Sequence, residues 1–199
     1  MNQDDYTYNG FSIVDGKLLD YKGKDKNMVI PDGVRVIGEY AIGDEIEKIY
    51  IPASVEEIDP LAFFNATDLQ VISVAEDNPY FYSRDDCLIE RKTKKIIKGT
   101  RLSFIPLDGS VTAIGTGAFL GIECCRKFIN RYITTIESRA FGYGADITLC
   151  IEAKSKPEGW ADDWDSGCGE TWEEVAWEAG DSGLLLEWGI KDIYDDDDD

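Results

Sequence analysis

A strand-rich repeat solenoid, built from short parallel strands and tight turns, is the fold class this sequence predicts. Two observations carry it. The frame I-P-x-x-V-x-x-I-x-x-x-A-[FI] appears four times in 199 residues, the third copy with two extra residues before its Val and the fourth with Asn for Pro and Ile for Val. Hydrophobic residues make up 43% of the chain, enough to build a sizeable core. A frame that recurs every twenty to fifty residues or so marks a solenoid, because one short unit cannot bury its own apolar face and stacked units can.

The first frame starts at Ile30-Pro31 and reaches Ala41-Ile42, and the second runs from Ile51-Pro52 to Ala62-Phe63. The third runs from Ile105-Pro106 through Val111 and Ile114 to Ala118-Phe119, and the fourth from Ile129-Asn130 through Ile133 and Ile136 to Ala140-Phe141. Each unit predicts the same local structure. The segment before the proline is a strand, in which Ile49 and Ile51 point one way while Lys48 and Tyr50 point the other. Proline ends the strand because it has no N–H for the ladder. The following Val and Ile, three apart, bury against the next coil. The Ala-Phe pair is expected on a short helical or 3₁₀ turn, with Ala allowing close approach and Phe filling the space between coils.

The expected organisation follows the chain. Residues 1–10 are polar and expected to fray. Residues 11–29 form an N-terminal cap, a hairpin about the turn dipeptide Asp15-Gly16. Residues 30–153 are the solenoid, interrupted at 76–104 by an insert with strands near 87–91 and 95–98. Residues 154–194 form an acidic cap rich in tryptophan, and the run Asp195 to Asp199 is expected to be a solvated, disordered tail.

These repeats resemble the BspA-like leucine-rich repeat family. The likeness extends to Phe11–Leu19 as an opening segment, to Glu76-Asp77-Asn78-Pro79-Tyr80-Phe81 as an insert between coils, and to Lys154–Trp160 with Trp164 as a closing segment. The resemblance implies a right-handed leucine-rich-repeat superhelix and a protein-interaction role, in a family whose members are often displayed on bacterial surfaces, where some adhere to host or matrix proteins. Two residue patterns depart from it. Ile42 stands where Phe is usual, and Cys124-Cys125-Arg126-Lys127-Phe128 replaces an apolar strand, which predicts an irregular strand there.

Charge and composition exclude several functions. The net charge is −20, of which residues 158–199 carry −15. A phosphate backbone or an anionic membrane would be repelled, so neither is an expected partner. No apolar run is long enough to span a bilayer, and acids stand where a signal peptide needs bases, so the sequence as it stands reads as cytoplasmic. Surface display or secretion is the alternative if the chain is trimmed or exported by another route. Five cysteines without a CxxC spacing read as reduced thiols. There is no histidine, which removes the usual general base, the Ser-His-Asp and Cys-His arrangements, and the commonest zinc ligand.

The remaining candidate sites each have a plainer reading. Asp163, Asp165 and Glu174 fall at positions 1, 3 and 12 of an EF-hand count, but Gly167 and Cys168 at positions 5 and 6 do not fit, so Asp162–Asp165 reads as a solvated loop. The carboxylate pairs Glu56-Glu57 and Asp85-Asp86 are expected on strands, facing opposite ways. Lys92, Lys94, Lys95 and Lys98 form a basic hairpin face, which is either solvated or docks an acidic partner. Trp160, Trp164 and Trp177 could form an aromatic platform for a sugar or peptide, although capping the end of the solenoid accounts for them better.

The function this sequence predicts is therefore a non-catalytic protein–protein interaction scaffold with no cofactor and no metal. Its partner surface is expected at the exposed strand positions Glu47, Lys48, Tyr50, Gln70 and Ser73. The alternative is a glycan-binding or glycan-acting protein using the acidic, Trp-rich segment. Catalysis would need two carboxylates facing each other about 5–9.5 Å apart.

Overall fold

A computed structural model describes residues 6–142, 145–166 and 184–190. Two parallel ladders run along it. The first contains the strands that precede the Ile-Pro step: β4 (Asn27–Val29), β6 (Lys48–Ile51) and β8 (Val71–Val74), then β13 (Glu123–Ile129), β15 (Ala145–Ile151) and β16 (Leu184–Trp188). The second contains the short strands that follow it: β3 (Lys17–Tyr21), β5 (Val36–Ile37) and β7 (Glu57–Ile58), then β11 (Lys95–Lys98), β12 (Ala113–Ile114) and β14 (Thr135–Ile136). Each ladder breaks at the insert, and the coils wind between the two as a β-solenoid of about six turns.

The period-two pattern of β6 is exposed–buried–exposed–buried, so Ile49 and Ile51 enter the core while Lys48 and Tyr50 stay outside. The Val and Ile after each Ile-Pro or Ile-Asn step, from Val34 and Ile37 to Ile133 and Ile136, are buried. The core forms two clusters, one built from residues 11–88 and the other from 87–164. Hairpins flank both halves. β1 (Tyr6–Tyr8) and β2 (Phe11–Val14) precede β3, and β9 (Phe81–Arg84) and β10 (Cys87–Glu90) precede β11. Their turns, Asp15-Gly16 and Asp85-Asp86, have positive φ at both central residues, which suits the strand twist of a two-residue hairpin.

The structure corrects two local expectations. Among the described residues there is no helix, and the Ala-Phe pairs sit on single turns. The amides of Ala41, Ala62 and Ala118 bond the carbonyls three residues back, at Gly38, Asp59 and Gly115. The next amide then leaves the turn for the following coil: Ile42 N–H donates to Ala62 O, Phe119 N–H to Ala140 O and Phe141 N–H to Trp164 O. A donor committed to the neighbouring coil cannot propagate a helix. The second correction is β13, a seven-residue strand in register with β15 from Glu123↔Ala145 to Ile129↔Ile151. Its inward Lys127 is buried yet tolerated, because the ammonium donates to Thr100 O and Arg101 O, both at 3.0 Å, and to Ser103 O.

Candidate interaction surface

Outward positions of the first ladder lie in rows, because parallel strands in register stack equivalent residues. The position just before the Ile of each frame forms one row. Val29 pairs with Tyr50, and Tyr50 pairs with Ser73. Phe104, before Ile105-Pro106, occupies the same place in its frame, and so does Phe128 before Ile129. Val29 is 61% exposed, Tyr50 40% and Phe104 75%. Two residues earlier in the frame, Lys48 pairs with Val71, and Leu102 is 51% exposed. Val29, Tyr50 and Ser73 are thus adjacent on the outward face across β4, β6 and β8, while the exposed Leu102 and Phe104 lie outside the strands; the ion pair Lys26–Glu47 joins the residues before β4 and β6, and Arg126–Glu187 joins β13 to β16, each 2.6 Å.

Of the five predicted surface residues, Lys48, Tyr50 and Ser73 project from this face within β6 and β8. Glu47 and Gln70 stand just before those strands, joined by Gln70 N–H donating to Glu47 O at 2.8 Å. Sequence reading missed Val29, Leu102 and Phe104. The signal was available, since Val-Ile-Pro, Tyr-Ile-Pro and Phe-Ile-Pro share a slot. Assigning residues 76–104 to an insert hid the last two.

The other candidates fall apart as sites. Lys98 is buried, its Nζ donating to Leu120 O at 3.4 Å, and Lys95 is half-buried against Glu137 Oε1 at 2.9 Å. The four lysines therefore do not make a solvated basic face: β11 alternates, and Lys98 falls on its inward side. Asp85-Asp86 is a hairpin turn rather than a strand, while Glu57 begins β7. In the Asp162–Asp165 loop, Lys156 pairs with Asp162, Ser138 Oγ donates to Asp163 Oδ2 at 2.6 Å, and burial raises the Asp165 carboxyl. Gly167, Cys168 and Glu174 lie outside the described residues. No group of three or more His, Cys, Asp or Glu among the described residues is placed to hold a metal ion.

Trp160 and Trp164 are each 3% exposed. Trp164 meets Phe141 edge-on at 5.8 Å and Trp160 at 5.0 Å, and Trp160 meets Trp188 at 5.8 Å. Their rings are covered by protein, so neither offers a face to a sugar; Trp177 lies outside the described residues. Among the described residues, no helix is long and apolar enough to cross a membrane.

Parallel ladders wound from repeats of this frame define a leucine-rich-repeat solenoid, a fold generally used as a scaffold rather than as a catalyst. The BspA type leucine rich repeat region matches residues 17–85 and 89–155 in six copies, and the chain belongs to that family. Among curated proteins, none is similar enough to count as a match. Two solved structures resemble the chain, both with a TM-score of 0.49. One is a leucine-rich repeat protein from Eubacterium ventriosum, 16% identical over 66% of this chain and 44% of that one. The other is a leucine rich cell surface protein from Faecalibacterium prausnitzii, 18% identical over 82% of this chain and 59% of that one. The chain thus spans about half the length of these structural relatives.

Proposed function

We propose that this chain is a non-catalytic protein-interaction scaffold whose partner lies across the outward face of the first ladder. The observation that carries this reading is that Val29, Tyr50 and Phe104, which each precede the Ile of an Ile-Pro step, are all left exposed, with Val29 and Tyr50 side by side on β4 and β6. Exposed apolar area grouped together is a feature of contact surfaces, and aromatic residues supply most interface anchors. Ser73 follows Tyr50 at the same position, Lys48 and Leu102 stand two residues earlier in their frames, and Glu47 and Gln70 lie just before the strands. On a cell surface this would be an adhesion role.

The test compares the chain with a Val29→Ser, Tyr50→Ser, Phe104→Ser variant as bait against surface and lysate fractions, followed by mass spectrometry. The expected result is a partner retained by the parent and lost by the variant, with an unchanged melting temperature. Equal retention by a folded variant would refute the strand face as the binding surface.

A further inference from the structure

The outward face of the first ladder differs in charge from the rest of the molecule. The chain carries 40 Asp and Glu against 20 Lys and Arg. From Asn27 to Cys150, the positions one and three residues before the Ile of each frame, or before Val74, hold two bases and no acid. The bases are Lys48 and Arg126. Arg126 is already committed, 2.6 Å from Glu187, and Glu47 at the upstream edge is committed to Lys26, also at 2.6 Å. Lys48 is different. It projects outward from β6 and is exposed, and no ion pair joins it to a carboxylate among the described residues. Its strand neighbours are Asn27 and Val71, and it stands two residues from Tyr50. Other carboxylates lie upstream, at Glu45 and Asp68 before the strands and at Glu123 where β13 begins.

A partner that covers Val29 and Tyr50 must also cover Lys48. A purely apolar partner would strip water from an unpaired ammonium, which costs free energy with nothing to offset it. A basic partner would set like charges together. An acidic one supplies the missing counter-charge, and the distant acids of the chain do not prevent this, because charges more than about 8 Å away are largely screened at physiological salt. Taking the strand face as the partner surface, we infer that the partner presents an acidic, apolar segment to it. Its apolar side chains lie on Val29 and Tyr50, and a carboxylate meets Lys48.

The probes are two fluorescein-labelled octapeptides, alternating aspartate–leucine and alternating lysine–leucine, titrated against the full chain by fluorescence anisotropy at physiological salt. Long-range attraction to a −20 chain would favour the lysine peptide, so the expected preference for the aspartate peptide isolates the face. Lys48→Glu should weaken the aspartate peptide roughly tenfold and strengthen the lysine peptide. Lys92→Glu makes the same charge change on the exposed turn between β10 and β11 and should alter either peptide less than about twofold. The Val29→Ser, Tyr50→Ser, Phe104→Ser variant should lose the aspartate peptide as well. No saturable binding of that peptide, a preference for the lysine peptide, or equal losses in the two lysine variants would overturn the acidic partner. The strand face itself fails separately, when the triple variant still retains the captured partner.

Discussion

Gly99 lies directly against the ring of Phe119: a β-carbon at Gly99 would come within 2.0 Å of Phe119 Cε1. The coil that ends at Ile105 has Gly99 at this place, and Phe119 of the following coil occupies the space. Gly99→Ala should therefore destabilise the protein by about 1–3 kcal/mol or more, the cost of overpacking a closed core. Chemical denaturation would check this, and an unchanged midpoint would contradict the packing.

Phe141 is fully buried, stacked on Phe119 at 5.0 Å with an interplanar angle of 3° and edge-on to Trp164. Phe141→Ala should cost about 3–5 kcal/mol, because it removes the ring packed between Phe119 and Trp164. A melting temperature equal to the parent's would rule out this register.

Asn78 is buried and ties the insert to the second coil. Its Nδ2 donates to Pro52 O at 2.9 Å and Val55 O at 3.1 Å, and its Oδ1 accepts from Tyr80 and Phe81 N–H, both at 2.8 Å. Asn78→Ala leaves two carbonyls and two amides to find other partners, which should cost about 3 kcal/mol or more. Thermal melting provides the comparison, with exposed Asn65→Ala as a control expected to stay within about 0.5 kcal/mol.

Burial pushes the Lys98 ammonium down to about 8 from an ordinary 10.5. Between those values the unfolded chain holds a proton that the folded chain has released, so stability should rise as the pH goes from about 8 to 10.5. Below pH 8 the buried charge is a full penalty, on the order of 3 kcal/mol. Lys98→Met should raise stability at neutral pH and flatten that rise relative to the parent. Parallel curves for the two proteins across this window would disprove the effect.

Much of the fold was legible because its signals are local and periodic. Ile49 and Ile51 alternate with Lys48 and Tyr50, Pro52 marks where the ladder must stop, and Asp15-Gly16 requires a turn with positive φ. The frame also carried the exposed apolar residues, since Val29, Tyr50 and Phe104 precede the same Ile. Long-range relations were not legible. Whether a donor continues its own turn or crosses to the next coil depends on what lies beside it, so the Ala-Phe turns looked helical in sequence. Lys98 and Lys127 looked solvated or disruptive, because a lysine's burial is decided by carbonyls brought to it from distant residues, here Leu120, Thr100, Arg101 and Ser103. Trp160 and Trp164 could equally have faced water until Phe141 and Trp188 were placed against them.

The sequence by itself determined that the chain is a stacked repeat, which residues of each frame face inward, and where the strands end, because these follow from side-chain alternation and backbone chemistry within a few residues. Only the tertiary structure decided that both ladders break at the β9–β10 hairpin, and that the coil ending at Ile105 takes a shorter path from Gly99 than its neighbours do. Those features depend on how coils more than twenty residues apart in the chain match in length, and the mismatch appears only once they are stacked.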